Sequence, residues 1–225
     1  MLLEPVWDLF TEKIFPAPSQ PNLFNLYRDR IDTLDLPDAP AIRRGNLYRY
    51  LASYEKRPRV LLLAEAPGPR GCRFSGVPFT SEMQLQDPDF PIEGRMSGNS
   101  GAPYTEYSGK IYWRVLRPYW PHFFTWNSVP FHPHRPGQPL SIRNPLNSEV
   151  ALWTDVLREL LHLLQPERIL AIGRKAEYAL SKVGAEHVYV RHPSQGGANH
   201  FAKGIHEAFE GIDPVQPLSL QEHTM

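Results

Sequence analysis

In the segment Arg59-Val60-Leu61-Leu62-Leu63-Ala64 the five residues after Arg59 form a short unbroken apolar run. Such a run, without polar alternation, suits a strand buried on both faces, as in a parallel sheet. It stops at Glu65-Ala66-Pro67-Gly68-Pro69, where the prolines and glycine can continue neither strand nor helix. From there the pattern alternates. A helix is expected from Ser108 to Trp120, with Ser108 as its N-cap, then a strand from His122 to Asn127. The clearest helical period runs from Ser148 to Leu164, with apolar residues at Val150, Trp153, Val156, Leu157, Leu160, Leu161 and Leu164. Arg168–Ile172 reads as a strand, Gly173 as a turn, Lys175–Val183 as a helix, His187–Val190 as a fourth strand and Ala198–Phe209 as a last helix. Strands separated by helices predict an α/β fold: a central four-stranded parallel sheet flanked by helices on both faces. Upstream, residues 6–15, 23–34 and 42–54 space their apolar residues by three and four, which predicts an N-terminal helical extension packed on the core. The expected organisation is therefore a helical extension over 1–56, an α/β domain over 57–212 and a C-terminal tail over 213–225.

Composition removes several function classes. There are 24 Lys+Arg against 24 Asp+Glu, so the chain is not held to nucleic acid by bulk charge. Charge is nevertheless local. Residues 111–147 carry four Arg, three His and no acid, and residues 187–206 carry Arg191, Lys203 and four His with no acid. Two strand-end regions are thus cationic, as a local nucleic-acid footprint requires. Cys72 is the one cysteine, which excludes an internal disulfide and a four-cysteine metal site. His132 and His134 lack a nearby carboxylate or third histidine, and Pro133 between them suits an extended loop, so no metal site is expected there. No apolar run is long enough to cross a membrane, and the first residues carry acids where a signal peptide needs bases. A cytoplasmic, monomeric enzyme without metal or cofactor is the expectation.

Three loops follow predicted strands, and in a parallel sheet such loops gather at the carboxyl edge. The first, residues 64–82, combines glycines and prolines with Arg70, Arg73 and Ser75 as anion-binding groups. It lacks the ending of a Walker loop and the helix of a dinucleotide fingerprint. The second, residues 125–136, contains Asn127. That side chain can read an edge carrying both a donor and an acceptor, or it can satisfy a strand-end backbone group. The third, residues 190–200, places Ser194, Gln195, Gly196, Gly197 and Asn199 just before a helix N-terminus, an arrangement that favours phosphate. His192 in that loop is either an ordinary strand-end histidine or a donor to a developing anion.

Taken together, the three loops resemble the uracil-DNA glycosylase superfamily over about residues 60–209. Ala64-Glu65-Ala66-Pro67-Gly68 is similar to the Gly-Glu-Ala-Pro-Gly motif of its bacterial and archaeal branches, with Ala in place of the leading Gly. Gly76-Val77-Pro78-Phe79, Asn127 and His192-Pro193-Ser194 match the other motifs. The chain departs from those branches in lacking their iron–sulfur cysteines and in carrying an insertion, residues 83–107.

The resemblance implies a DNA repair glycosylase that flips out uracil or a related deaminated base and hydrolyses its N-glycosidic bond. It implies that Ala66, Pro67, Gly68, Phe79 and Asn127 hold the base, Phe79 by stacking and Asn127 by reading the edge. His192 would hydrogen-bond the leaving base, while Arg70, Ser75, Ser194, Gln195, Gly196, Gly197 and Asn199 would contact DNA. A carboxylate would stabilise the cationic sugar. The matches rank Glu65 first, then Glu82, then Glu106, because the insertion splits one family position into two. Two other readings fit the loops: a DNA- or damage-binding module without activity, and an α/β enzyme acting on a small phosphorylated molecule.

Overall fold

The apolar run becomes a strand, Val60–Ala64, in which every residue is buried. The computed structural model describes residues 2–215. In chain order its elements are α1 (Glu4–Lys13), β1 (Leu23–Phe24), α2 (Ala39–Ala52), β2 (Val60–Ala64), α3 (Cys72–Ser75), α4 (Glu82–Leu85) and α5 (Tyr107–Leu116). A 3-10 turn (Arg117–Tyr119) leads to β3 (Phe123–Asn127), β4 (His132–Pro133), α6 (Asn147–Ala151) and α7 (Thr154–Leu164). The chain closes with β5 (Arg168–Ile172), α8 (Arg174–Val183), β6 (Val188–Val190) and α9 (Ala198–Ala208). The main sheet is four-stranded in the order β3-β2-β5-β6, and each pairing is parallel. The chain leaves β2 toward β3 and then returns to β5 on the other side. With right-handed crossovers, α5 and α7 therefore fall on opposite faces. The observed contacts agree: α5 packs on α9, and α7 packs on α1 and α8. The reversal of direction between β2 and β5 opens a crevice at their carboxyl ends.

The N-terminal residues differ from expectation. Residues 23–34 are not a helix. Leu23, Phe24, Leu26 and Tyr27 are all buried, whereas an amphipathic helix would bury one stripe. Instead β1 pairs antiparallel with β4. The buried Asn25 side chain donates to the carbonyls of Ile14 and Ala17 and so holds the irregular path. The expected helix over 148–164 is interrupted, with the Thr154 hydroxyl donating to the Ala151 carbonyl at the break. Ser108 is not an N-cap either; α5 begins at Tyr107, after Glu106.

Residues 3–54 and the sheet share one hydrophobic core. Polar ties add to it. Asp35, on the N-terminal part, pairs with Arg43 of α2 and with Arg73 of α3, all fully buried. Burial alone would raise the Asp35 pKa, but the hydrogen bond from Arg73 and the charge of Arg43 outweigh it and hold the carboxylate ionised. Arg73, expected as an anion-binding group, is thus consumed inside the core. Of the expected tail over 213–225, residues 216–225 lie outside the described residues. No described helix is long and apolar enough to cross a membrane.

Candidate active site

The crevice between the ends of β2 and β5 is a cavity of about 330 Å³. Its lining combines residues from all three strand-end loops, Ala64, Glu65, Ala66, Gly68, Cys72, Phe79, Asn127, His192, Ser194 and Gln195, with Glu106 from the end of the insertion. Ala64 and Asn127 end adjacent strands in direct register, so the first and second loops leave the sheet side by side.

Phe79 is 8 % exposed. One face of its ring is stacked on Tyr112 of α5, with centroids 4.4 Å apart and planes 4° from parallel. The His192 ring lies 5.3 Å away. Phe79 has a φ of 52°, a conformation that costs a bulky residue energy. Its surroundings enforce that conformation. Gly109 packs against the Phe79 carbonyl, and the Trp113 indole donates to Thr80 Oγ1 at 3.0 Å. Phe79 is therefore a rigid platform backed by a second aromatic ring.

His192 contacts Ser194 through Nδ1, which lies 2.8 Å from Ser194 Oγ. The Ser194 backbone N–H also donates to that nitrogen at 3.2 Å. An Nδ1 that accepts an N–H carries no proton of its own, so the proton of the neutral ring resides on Nε2. Burial, and then the Arg191 charge, push the His192 pKa down to about 4. Near neutral pH the ring is thus an uncharged Nε2–H donor.

The three candidate carboxylates separate cleanly. Glu65 lines the cavity, but its Oε1 accepts the backbone N–H of Lys175 at 3.0 Å and so ties β2 to the first turn of α8. Glu106 also lines the cavity, with its carboxyl against Gly68 and Gly71; a side chain at either glycine would overlap it. Burial raises its pKa to about 7, with a hydrogen bond from Ser108 opposing the shift. Glu82 is elsewhere. It is fully buried and accepts the backbone N–H groups of Ser97 and Gly98, at 2.7 and 2.9 Å, and that of Tyr104 at 3.1 Å. Its placement among the site residues is corrected: Glu82 organises the insertion, whose far end delivers Glu106. Glu82→Ala leaves two buried donors and a half-buried one unsatisfied, each buried one costing roughly 1–3 kcal/mol. Partial relaxation brings the expected loss to about 3–5 kcal/mol, measurable by urea denaturation of the purified variant.

Other expected contacts resolve in both directions. Ser75 is fully buried, and its hydroxyl contacts the carbonyls of Val77 and Thr80, so it is removed from the DNA-facing set. The Gly197 N–H donates to the Ser194 carbonyl, and a side chain there would overlap the His192 carbonyl; Gly197 shapes the turn and has no free donor. Pro67 does not line the cavity, yet its carbonyl lies 2.8 Å from His132 Nδ1, and the other ring nitrogen faces the Pro139 carbonyl. Arg70, Gln195, Gly196 and Asn199 are exposed.

The residue-level reading missed Cys72, Arg174 and Tyr189, which also line the cavity with Ile142, Arg143 and Arg191. Arg174 sits over the Tyr189 ring at 4.1 Å from its centroid. The cationic segments pointed to Arg143 and Arg191, but nothing in a helix-opening Arg or a mid-strand Tyr marks Arg174 and Tyr189. Arg143 is ion-paired with Glu149 and Arg174 with Glu177, so Arg191 is the charge at the mouth that most favours a polyanion.

A family model described as the uracil DNA glycosylase superfamily matches residues 89–210. Among solved structures, the chain is similar to wild-type SMUG2 from Pedobacter heparinus, with a TM-score of 0.65 and 16% sequence identity. That match covers 93% of this chain and 97% of that one. No curated protein matches the chain.

Proposed function

The chain belongs to the uracil-DNA glycosylase superfamily, a family of DNA glycosylases, and from that premise we propose that it excises uracil or a related deaminated base from DNA, leaving an abasic site. The observation that carries this reading is the convergence in one cavity of a stacking ring, an amide, a neutral imidazole donor and a carboxylate. A duplex base reaches such a cavity only by leaving the stack. In this reading Phe79 stacks on the extruded base from the cavity wall, and Ala66 and Gly68 wall the cavity beside it. Asn127 pairs with its edge. As the glycosidic bond breaks, negative charge develops on the base, and the Nε2–H of His192 stabilises it without first losing or gaining a proton. The cationic sugar needs an anion and a positioned water.

Glu106 supplies that anion in our reading, and Glu65 acts through α8. This reverses the order expected from the motifs. The Glu65 carboxylate already receives a backbone donor at a helix N-terminus, which satisfies its charge. Glu106 receives one side-chain hydrogen bond and keeps a pKa near neutrality, the property of a group poised to act. Arg174 and Arg191 at the mouth, with Ser194, Gln195 and Asn199 on the third loop, contact phosphates, which position the strand without reading it.

The test is direct. Purified protein is incubated with labelled single- and double-stranded oligonucleotides carrying uracil, hypoxanthine or xanthine, and abasic sites are cleaved with alkali. Strand scission at one or more of these bases is expected. Tight damaged-DNA binding with no scission would leave a binding module in place of an enzyme.

A further inference from the structure

The cavity lining reaches from Asn127, at the end of β3, to Tyr189, in β6. These are the two outer strands of the main sheet, three strand spacings or about 14 Å apart. That span exceeds one extruded base. Phe79 and Asn127 serve one end of it. The far end holds Tyr189 and Arg174, whose ring and guanidinium plane have no task in the mechanism above. Their meeting follows from the strand period. Val190 faces α9, where a side chain at Gly204 would crowd it. Tyr189, one residue earlier, therefore points to the opposite side of the sheet, toward α8. Gly173, with a φ of 93°, turns the chain out of β5, and α8 opens directly on Arg174. The Arg174 guanidinium comes to lie over the phenol ring, 4.1 Å from its centroid. Nη1 donates to Glu177 Oε2 at 2.8 Å, one turn along the helix.

The guanidinium is thus fixed on one face by the ring and on one edge by the carboxylate. The Arg174 side chain is nevertheless 72 % exposed, so its second face is turned to solvent. Its charge is answered by Glu177; what it still offers is a flat surface at the cavity mouth. Nucleobases stack on guanidinium planes and on aromatic rings, whatever the base, because each has a π-face. We propose that Arg174, backed by Tyr189, is a stacking shelf for the base adjoining the extruded one, a second nucleobase subsite of the cavity. The shelf rests on the glycosylase reading and deepens it: the substrate is held as a stretch of strand, by a neighbouring base as well as by phosphates.

The experiment uses single-turnover excision from single-stranded oligonucleotides. Uracil is flanked on its 5′ or its 3′ side by an ordinary nucleotide or by one lacking a base. Removing the base on one side should raise the half-saturating wild-type concentration roughly tenfold. The maximal rate should move less, because stacking is present before and during the chemical step. Arg174→Lys keeps the charge and loses the plane; it should show that same loss with the flanking base present and no further loss without it. Tyr189→Leu should do likewise, and Tyr189→Phe, which keeps the ring, should restore the wild-type value. Wild-type behaviour of both Arg174→Lys and Tyr189→Leu overturns the shelf and leaves the glycosylase reading intact. So does a loss that stays the same size when the flanking base is absent, since the pair then serves only the fold or the phosphates. A wild type that excises no deaminated base overturns the glycosylase reading instead, and binding then decides the shelf. A single-stranded oligonucleotide with 2-aminopurine beside uracil should change in fluorescence on binding the wild type and change less with Arg174→Lys. Equal changes in the two proteins overturn the shelf.

Discussion

Replacing Glu106 by Gln should lower single-turnover uracil excision about 100-fold and leave binding of uracil-containing DNA close to wild type. The substitution keeps the shape of the side chain against Gly68 and Gly71 and removes only its charge. That charge matters when the sugar becomes cationic, so the loss falls on the chemical step. The wild-type rate should climb as pH rises through about 7, where Glu106 ionises, and the variant should lack that limb. Stability must move the other way. The folded pKa of Glu106 is raised above its ordinary value of 4.5. The protein is therefore most stable, as far as this group is concerned, below that ordinary value. It loses the contribution as pH climbs through about 7. Glu106→Gln removes the buried charge and should raise the melting temperature at pH 8 by about 2–6 °C, after discounting the shift for the partly open cavity. The gain should shrink toward pH 5. A variant that cuts normally, beside a dead Glu65→Gln, would return the carboxylate role to Glu65.

His192→Ala should cost about 100- to 1000-fold in the same assay, because in this reading the pocket loses the uncharged Nε2–H donor that stabilises the departing base. The pH dependence separates this role from general acid catalysis. Burial and Arg191 depress the His192 pKa to about 4, so the ring is neutral across the range in which Glu106 titrates. Wild-type activity should therefore show no loss on the alkaline side of pH 7 from deprotonation of an imidazolium. A bell-shaped profile with a descending limb near 7 in the wild type, absent from His192→Ala, would mean that the imidazolium is the active form. The same depressed pKa predicts that folding stability is held above the ordinary histidine value of 6.5 and lost as pH falls toward 4, since only the unfolded chain takes up the proton readily in that window. His132 is buried with a pKa of about 4 as well, so the acid loss should persist in part in His192→Ala.

Much of this was written in local sequence. Val60–Ala64 had to be an interior strand because five consecutive apolar residues leave no polar face for water. The Gly- and Pro-rich stretches after it, and after β3 and β6, had to be loops because their residues cannot extend either element. Parallel pairing then places those loops on one edge, which is why the sequence alone groups Phe79, Asn127 and His192. Local sequence also marked the two cationic segments that bring Arg143 and Arg191 to the mouth.

The acid was not legible, for a physical reason. Glu65, Glu82 and Glu106 are chemically alike, and what separates them is the partner each meets across the fold. A backbone N–H of α8 meets Glu65, three N–H groups of the insertion meet Glu82, and the glycines of the first loop meet Glu106. Periodicity also failed at residues 23–27, where apolar residues at helical spacing are buried on every side by neighbours distant in the chain. Sequence by itself determined which segments are strands, where the loops emerge and which chemistry they can offer. The tertiary structure alone decided which of several equivalent side chains is free to use it, because hydrogen bonds and burial are assigned by contact in space.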